Sequence, residues 1–184
     1  MENDDRIWVA RAARGDRSAL ERLLRRIDGR VLDLAHRLTG DADVAKDLRQ
    51  QALIRVCRGL SDFEGRADFE TWVHRIVVNL CRDHLRSQSA VRRRTERHSL
   101  LVGASTAPST HDETERTELG QRVATAVGAL PDEEREVLVL HHYQGLSFPE
   151  IARVLEVPET TLKSRFARAL ERLAPRLATL RALG

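Results

Sequence analysis

A chain of 184 residues has room for one or two small domains, each with a modest core. Charged residues make up 32% of it and aromatics only 4%, a balance that suits helices with apolar stripes and solvated backs. The formal net charge of +3 excludes a bulk polycation, so any nucleic-acid surface has to come from segregated charge, and basic residues do gather in 82–97 and 163–176.

Residues 7–14 read as a short helical piece, with Gly15 and Asp16 as a stop and a fresh N-cap. From Asp16 the three-four repeat of Leu20, Leu23, Leu24, Ile27, Val31, Leu34, Ala35 and Leu38 predicts a long helix, with Gly29 inside it at some cost. Thr39 and Gly40 close that helix, and Asp41 or Asp43 starts the next. There Val44, Leu48, Ala52, Val56 and Leu60 form one stripe, widened by Leu53 and Cys57. Residues 61–68 are a loop by composition. A third long helix should follow, with Phe69, Trp72, Val73, Ile76, Val77, Leu80 and Leu85 facing inward and His74, Arg75, Asn79, Arg82, Asp83 and Arg86 on its polar side.

Beyond Ser87 the periodicity fades into Arg, Ser, Thr, Gly and Ala, so residues 91–112 are expected to be a flexible linker between a domain at 1–90 and another at 113–184. The second domain opens with Leu119, Val123, Ala126, Val127 and Leu130 on one face. Leu130, Pro131 and Asp132 break and restart the helix, and Val137, Leu138, Leu140 and His141 carry it to Gly145. The predicted fold class is all-α: two small helical bundles, the second containing a helix-turn-helix.

The helix-turn-helix is read from residues 146–172. Ser147 with Glu150 is a capping box, and Pro149 sits in the first turn, where a missing N–H costs nothing. Ile151, Ala152 and Leu155 line a short helix, which Val157 and Pro158 end. Glu156 stands where such turns usually want a glycine, which tolerates positive φ. The second helix places Leu162, Phe166, Ala169, Leu170 and Leu173 inward. Its other face carries Thr160, Thr161, Lys163, Ser164, Arg165, Arg168 and Arg172, the hydroxyl-and-base surface that suits a DNA major groove. A plain helical hairpin with a solvated basic face is the alternative. The coincidence of the capping box, the short turn, the small Ala152 that lets the two helices cross closely and the basic face favours DNA binding.

Catalytic and metal chemistry find no support. His141 and His142 are neighbours that point in different directions, Cys81 with His84 lacks an orienting third group, and Cys57 has no metal-type spacing to Cys81. No enzyme activity, cofactor or metal is expected. Cys81 reads as a half-buried thiol. Two cysteines make no disulfide framework, the charged N-terminus has no signal-peptide core, and no apolar run approaches membrane-spanning length. A cytoplasmic protein without membrane insertion is the expectation.

With the last helix pair in place, the chain resembles bacterial RNA polymerase sigma factors of the ECF (extracytoplasmic function) group. The first half carries the resemblance in GDADVAKDLRQQALIRV and FEGRADFETWVHRIVVNLCRDHLR, the second in LPDEEREVLVLHHYQGLSFPEIARVLEVPETTLKSRFARALERL. The resemblance implies that the chain binds core RNA polymerase and directs promoter recognition, melting and transcription initiation. It implies a polymerase-binding surface at Asp47, Arg49, Gln50, Gln51 and Arg55. A single-stranded downstream element would meet Phe63, Arg66, Asn79, Arg82 and Arg86. A duplex upstream element would meet Thr160, Thr161, Lys163, Ser164, Arg165 and Arg168. An anti-sigma factor is a further partner by the same analogy. Lys46 and Gln51 depart from the family's usual acidic residues, Cys57 from a common Trp and Thr160 from a frequent Gly. The alternative function is a stand-alone helix-turn-helix transcriptional regulator with an N-terminal helical interaction domain.

Overall fold

In the computed structural model, residues 2–63, 68–98 and 118–181 are described, and every regular element among them is helical. Four helices build the first bundle: α1 (Glu2–Ala13), α2 (Arg17–Thr39), α3 (Ala42–Gly59) and α4 (Phe69–His98). The second comprises α5 (Glu118–Gly128), α6 (Asp132–Leu138), a π-helical turn (Val139–Tyr143), α7 (Phe148–Leu155) and α8 (Glu159–Arg181).

The boundaries follow from local chemistry. Gly15 takes φ +92°, a left-handed conformation costly for other residues, and Asp16 then caps α2 by accepting the Ala19 N–H. The same device recurs one helix later. Gly40 (φ 74°) donates its N–H to the His36 carbonyl, and Asp41 accepts the N–H groups of Asp43 and Val44 to start α3. Asp68 opens α4 by accepting the Thr71 N–H at 2.7 Å and the Thr71 hydroxyl at 2.5 Å. Burial pushes the Asp68 carboxyl up, but these two bonds outweigh it and hold the group below the usual carboxylate range.

The first core forms where the α2 stripe meets α3 and α4: Leu23, Ile27, Val31, Leu34, Leu38, Leu48, Val56, Val73, Val77 and Val78 are all buried. Glu70 at the head of α4 ties this helix to α2 through Arg26 (2.9 Å) and Arg30 (2.6 Å). The second core is built on Val137, Val139, Leu140, Ile151, Val154, Leu162, Ala169 and Leu173. Arg135 is buried there because its guanidinium donates to the carbonyls of Gly128 (2.9 Å) and Leu130 (3.2 Å), satisfying the end of α5.

Five features differ from the sequence-based expectation. His74, expected on the polar side of α4, is buried, because Gln144 of the second bundle packs against that part of the face. Cys57 and Leu170 are exposed although both belong to apolar stripes, because each lies at a stripe's margin beyond the reach of the neighbouring helix. Cys81 is fully and not half buried, and burial, then the charge of Glu136, pushes its thiol up to about 12. α4 runs on to His98, past the expected start of the linker; the rest of that linker, from 99 onward, lies outside the described residues. The helix expected to continue to Gly145 changes to π geometry at Val139.

Candidate nucleic-acid and polymerase interfaces

The helix-turn-helix is assembled around three rings. His141, in the π turn, stacks on Phe148 at 4.7 Å and meets Phe166 edge-on at 4.9 Å, while the two phenyl rings lie 5.8 Å apart. The His141 Nδ1 is 2.7 Å from the Leu146 carbonyl, so that nitrogen carries the proton and fixes the ring. Thus the histidine that invites a metal reading is a packing element, and His142 beside it points to solvent. A ring on α7, one on α8 and one before the turn cannot be paired by periodicity, which is why the sequence does not show the trio.

α7 starts with the expected capping box: the Glu150 carboxylate accepts the Ser147 N–H at 2.7 Å and the Ser147 hydroxyl. Those bonds hold the Glu150 carboxyl below its ordinary value. Glu156 ends α7 at φ 57°, ψ 41°, the left-handed conformation that such turns usually reserve for glycine. It is the one non-glycine residue with positive φ among the described residues.

On α8, Thr160, Lys163, Ser164 and Arg168 are exposed and Thr161 is half-buried. Lys163 is 3.7 Å from Glu159, and the Arg168 Nε donates to the Ser164 carbonyl at 3.4 Å, so both cations lie along the helix surface. Arg165 differs. Its side chain is 15% exposed and paired with Glu133 at 2.7 Å.

On α3, Asp47, Gln50, Gln51 and Arg55 are exposed, and Lys46 pairs with Asp43 at 3.1 Å. Arg49 is half-buried and reaches back to Asp28 on α2 at 3.1 Å. Arg49, Gln50, Leu53, Ile54, Cys57 and Arg58 line a shallow groove in which Ile54 keeps 43% of its surface exposed. This apolar floor with a polar rim is the composition of a protein-binding surface.

The residues expected to meet a single strand are arranged less simply. Phe63 lies on an aromatic cluster, 5.0 Å from Trp72 and 6.2 Å from Phe69, while Gly59 backs Trp72 so closely that an added Cβ would come within 3.1 Å of it. Arg66 lies outside the described residues. Asn79 and Arg86 are exposed on α4. Arg82 makes two 2.7 Å bonds to the carboxylate of Glu136 on α6, which raises its pKa.

Comparison with known proteins joins these surfaces to a family. Residues 23–91 match the family described as Sigma-70 region 2, and residues 120–173 match Sigma-70, region 4. The chain is 36% identical over 179 residues to the ECF RNA polymerase sigma factor SigM of Mycobacterium tuberculosis, an alignment that spans 97% of this chain and 87% of the relative. The chain belongs to the ECF sigma factors of RNA polymerase.

This ECF sigma factor is also similar to two solved structures. One is of CnrH in complex with the cytosolic domain of CnrY (30% identity, TM-score 0.70, covering 95% of this chain and 97% of that one). The other is of the sigma factor RpoE in complex with the anti-sigma factor NepR from Bartonella quintana (25% identity, TM-score 0.69, covering 86% and 96%). In this ECF sigma factor the region 4 match ends at residue 173, so it contains the whole exposed face of α8 described above. The region 2 match contains α3, the groove and the exposed face of α4.

Proposed function

We propose that this sigma factor divides initiation among three surfaces. The α3 groove with Asp47, Gln50, Gln51 and Arg55 holds core RNA polymerase. The exposed face of α8 reads a duplex upstream element. The 61–68 loop and the face of α4 that bears Asn79, Arg82 and Arg86 accept the displaced strand of the downstream element. Its role is that of a non-catalytic initiation factor working in the cytoplasm, and an anti-sigma factor is its expected inhibitor.

One observation carries the reading: the same chain presents a hydroxyl-and-base helix face at Thr160, Lys163, Ser164 and Arg168 and, on a separate bundle, an apolar groove with a polar rim. The first suits base edges and phosphates, and the second suits a protein partner. No helix among the described residues is long and apolar enough to cross a membrane. The test is to mix the chain with core polymerase and to measure co-elution and specific initiation on a duplex promoter. Co-elution with specific initiation is expected. Tight binding of a duplex site by the chain alone, with no co-elution, would make it a stand-alone regulator.

A further inference from the structure

The first two helices carry a charge excess that none of the three surfaces above uses. Residues 6–26, most of α1 and the first part of α2, hold seven arginines against Asp16 and Glu21. That excess of five positive charges is larger than the +3 of the whole chain, so the remainder is net negative. Three of the arginines are paired: Arg11 with Asp16 at 2.7 Å, Arg25 with Glu21 at 2.5 Å and Arg26 with Glu70 at 2.9 Å. Arg6, Arg14, Arg17 and Arg22 are exposed and have no carboxylate partner among the described residues. The Arg14 Nε donates to the Ala10 carbonyl at 3.1 Å, which leaves its charge uncompensated. Self-repulsion in such a cluster works against the compact state, so a face that served only to meet water would gain nothing by it.

Trp8 gives the patch its order. It is half-buried, and Val9 and Ala12 of the same helix are buried beneath it. The guanidinium carbons of Arg11 on α1 and Arg22 on α2 each lie 4.7 Å from its ring centre. An indole is the best aromatic partner for a cation, and a guanidinium held over a ring keeps N–H groups free to donate. These two arginines are placed before any ligand arrives, so less ordering remains to be done at binding. Arginine also favours a ligand with paired oxygens, phosphate above all. The patch adjoins the aromatic cluster at the 61–68 loop. Arg26 pairs with Glu70, the residue after Phe69, and the Phe69 ring lies 6.2 Å from Phe63.

We propose that Arg14, Arg17 and Arg22, with Trp8 holding the Arg22 guanidinium, form a phosphate-binding track for single-stranded DNA. It takes the displaced promoter strand where that strand runs on past Phe63, an assignment that rests on reading the 61–68 loop as strand-binding. The track reads no bases. Its guanidiniums meet the backbone, so it adds affinity and holds the strand in place without adding sequence preference. Charge complementarity and continuity with the loop decide the occupant: a strand leaving Phe63 brings one phosphate per nucleotide to a cluster of uncompensated cations. The α3 groove, with its apolar floor, has instead the composition of a protein contact.

The test titrates the full chain into a fluorescently labelled oligothymidylate, and into a duplex of equal length, over a series of KCl concentrations. The double variant Arg17→Gln with Arg22→Gln should flatten the salt dependence of strand binding by about 0.7 log units for each phosphate no longer neutralised, up to about 1.4 for the pair. Trp8→Leu keeps every charge, so it should weaken strand binding by about two- to fivefold with the slope unchanged. Circular dichroism melting checks that each variant stays folded, as exposed arginines should allow. An unchanged slope in the arginine variant would overturn the track, and wild-type affinity in Trp8→Leu would overturn the role given to the indole. Loss of duplex binding with strand binding intact would also overturn the track. So would weaker binding of core polymerase with both DNA probes unaffected, which would make the patch a protein contact. Phe63→Ala separates the track from the reading it rests on. If strand binding falls in the arginine variant but not in Phe63→Ala, the track stands and the strand path across the loop fails.

Discussion

The outer face of α8 and the outer face of α4 carry similar residues, a few cations among hydroxyls and amides, but they are held in different ways. On α8, Lys163 and Arg168 lie along their own helix and face solvent, and the rings of His141, Phe148 and Phe166 brace the turn beneath. On α4, Arg82 and Arg75 are engaged by carboxylates of the other bundle. The difference teaches that a basic helix face is not a binding site until its counter-charges are counted. The bonds of Lys163 and Arg168 stay within α8, whereas those of Arg82 and Arg75 cross from α4 to the other bundle.

The comparison is broken most severely by removing the support of α8. Leu162 is fully buried, and Leu162→Ala should cost about 2–5 kcal/mol of stability. Upstream-element binding should then disappear together with the cooperative melting of the second bundle, measured by thermal denaturation of the free chain. Next in size is the strand-binding assignment on α4. Alanine at Phe63 or Asn79 should lower initiation on duplex promoters by about 5- to 150-fold if either residue is worth about 1–3 kcal/mol toward a captured base. Core binding should persist, and a template already mismatched across the downstream element should recover much of the activity. Equal defects on both templates would place these residues outside melting.

A smaller effect separates the cations of α8 from one another. Lys163→Ala and Arg168→Ala should each flatten the salt dependence of upstream-element binding by about 0.9 log units for every phosphate the variant no longer neutralises. Arg165, held by Glu133, should show itself more in melting temperature than in that slope. If all three slopes stay unchanged, the exposed face of α8 is not the phosphate-binding face.

Much of this is legible because it depends on neighbours in sequence. Asp16, Gly40, Asp41, Ser147 and Glu150 each do locally what their residue types favour, and Glu156 adopts the positive φ that its place in the turn demands. The apolar stripes mark the cores of α2, α3 and α8. They do not report the width of each partner helix, so Cys57 and Leu170 fall on the wrong side of the margin. Nor does the composition after Ser87 mark the end of α4, since the arginine-rich stretch before His98 is made largely of good helix formers. The residues assigned to polymerase and promoter can mostly be located on the structure, but Arg82 shows what stays hidden: its partner Glu136 is 54 positions away, and no spacing rule reaches that far.

The smallest expected effect sits at the seam between the two bundles. His74 is buried beside Gln144, and burial, opposed by the Gln144 bond, lowers its pKa below the ordinary 6.5. The unfolded chain therefore binds a proton more readily than the folded one. Stability is full above pH 6.5 and falls as acid carries the solution below it toward the lowered value. Urea midpoints taken between about pH 7.5 and 5.5 should decline, and His74→Gln should flatten that decline. An identical decline in the variant would assign the acid sensitivity to other groups.

The π turn at Val139–Tyr143 has a consequence for how the second bundle is aimed. It is closed by the Gln144 N–H on the Val139 carbonyl and the Leu146 N–H on the Leu140 carbonyl, so the chain there spends one more residue per turn than an α-helix would. Along an α-helix each residue advances the azimuth by about 100°. The extra residue is a phase shift that lets His141 face α7 and α8 while Tyr143 and Gln144 face α2 and α4. Deleting a single residue in this turn would leave every helix its own length and composition. It would rotate the two sets of contacts out of phase, so that a chain still able to seat α7 against α8 could no longer point that pair in the same direction.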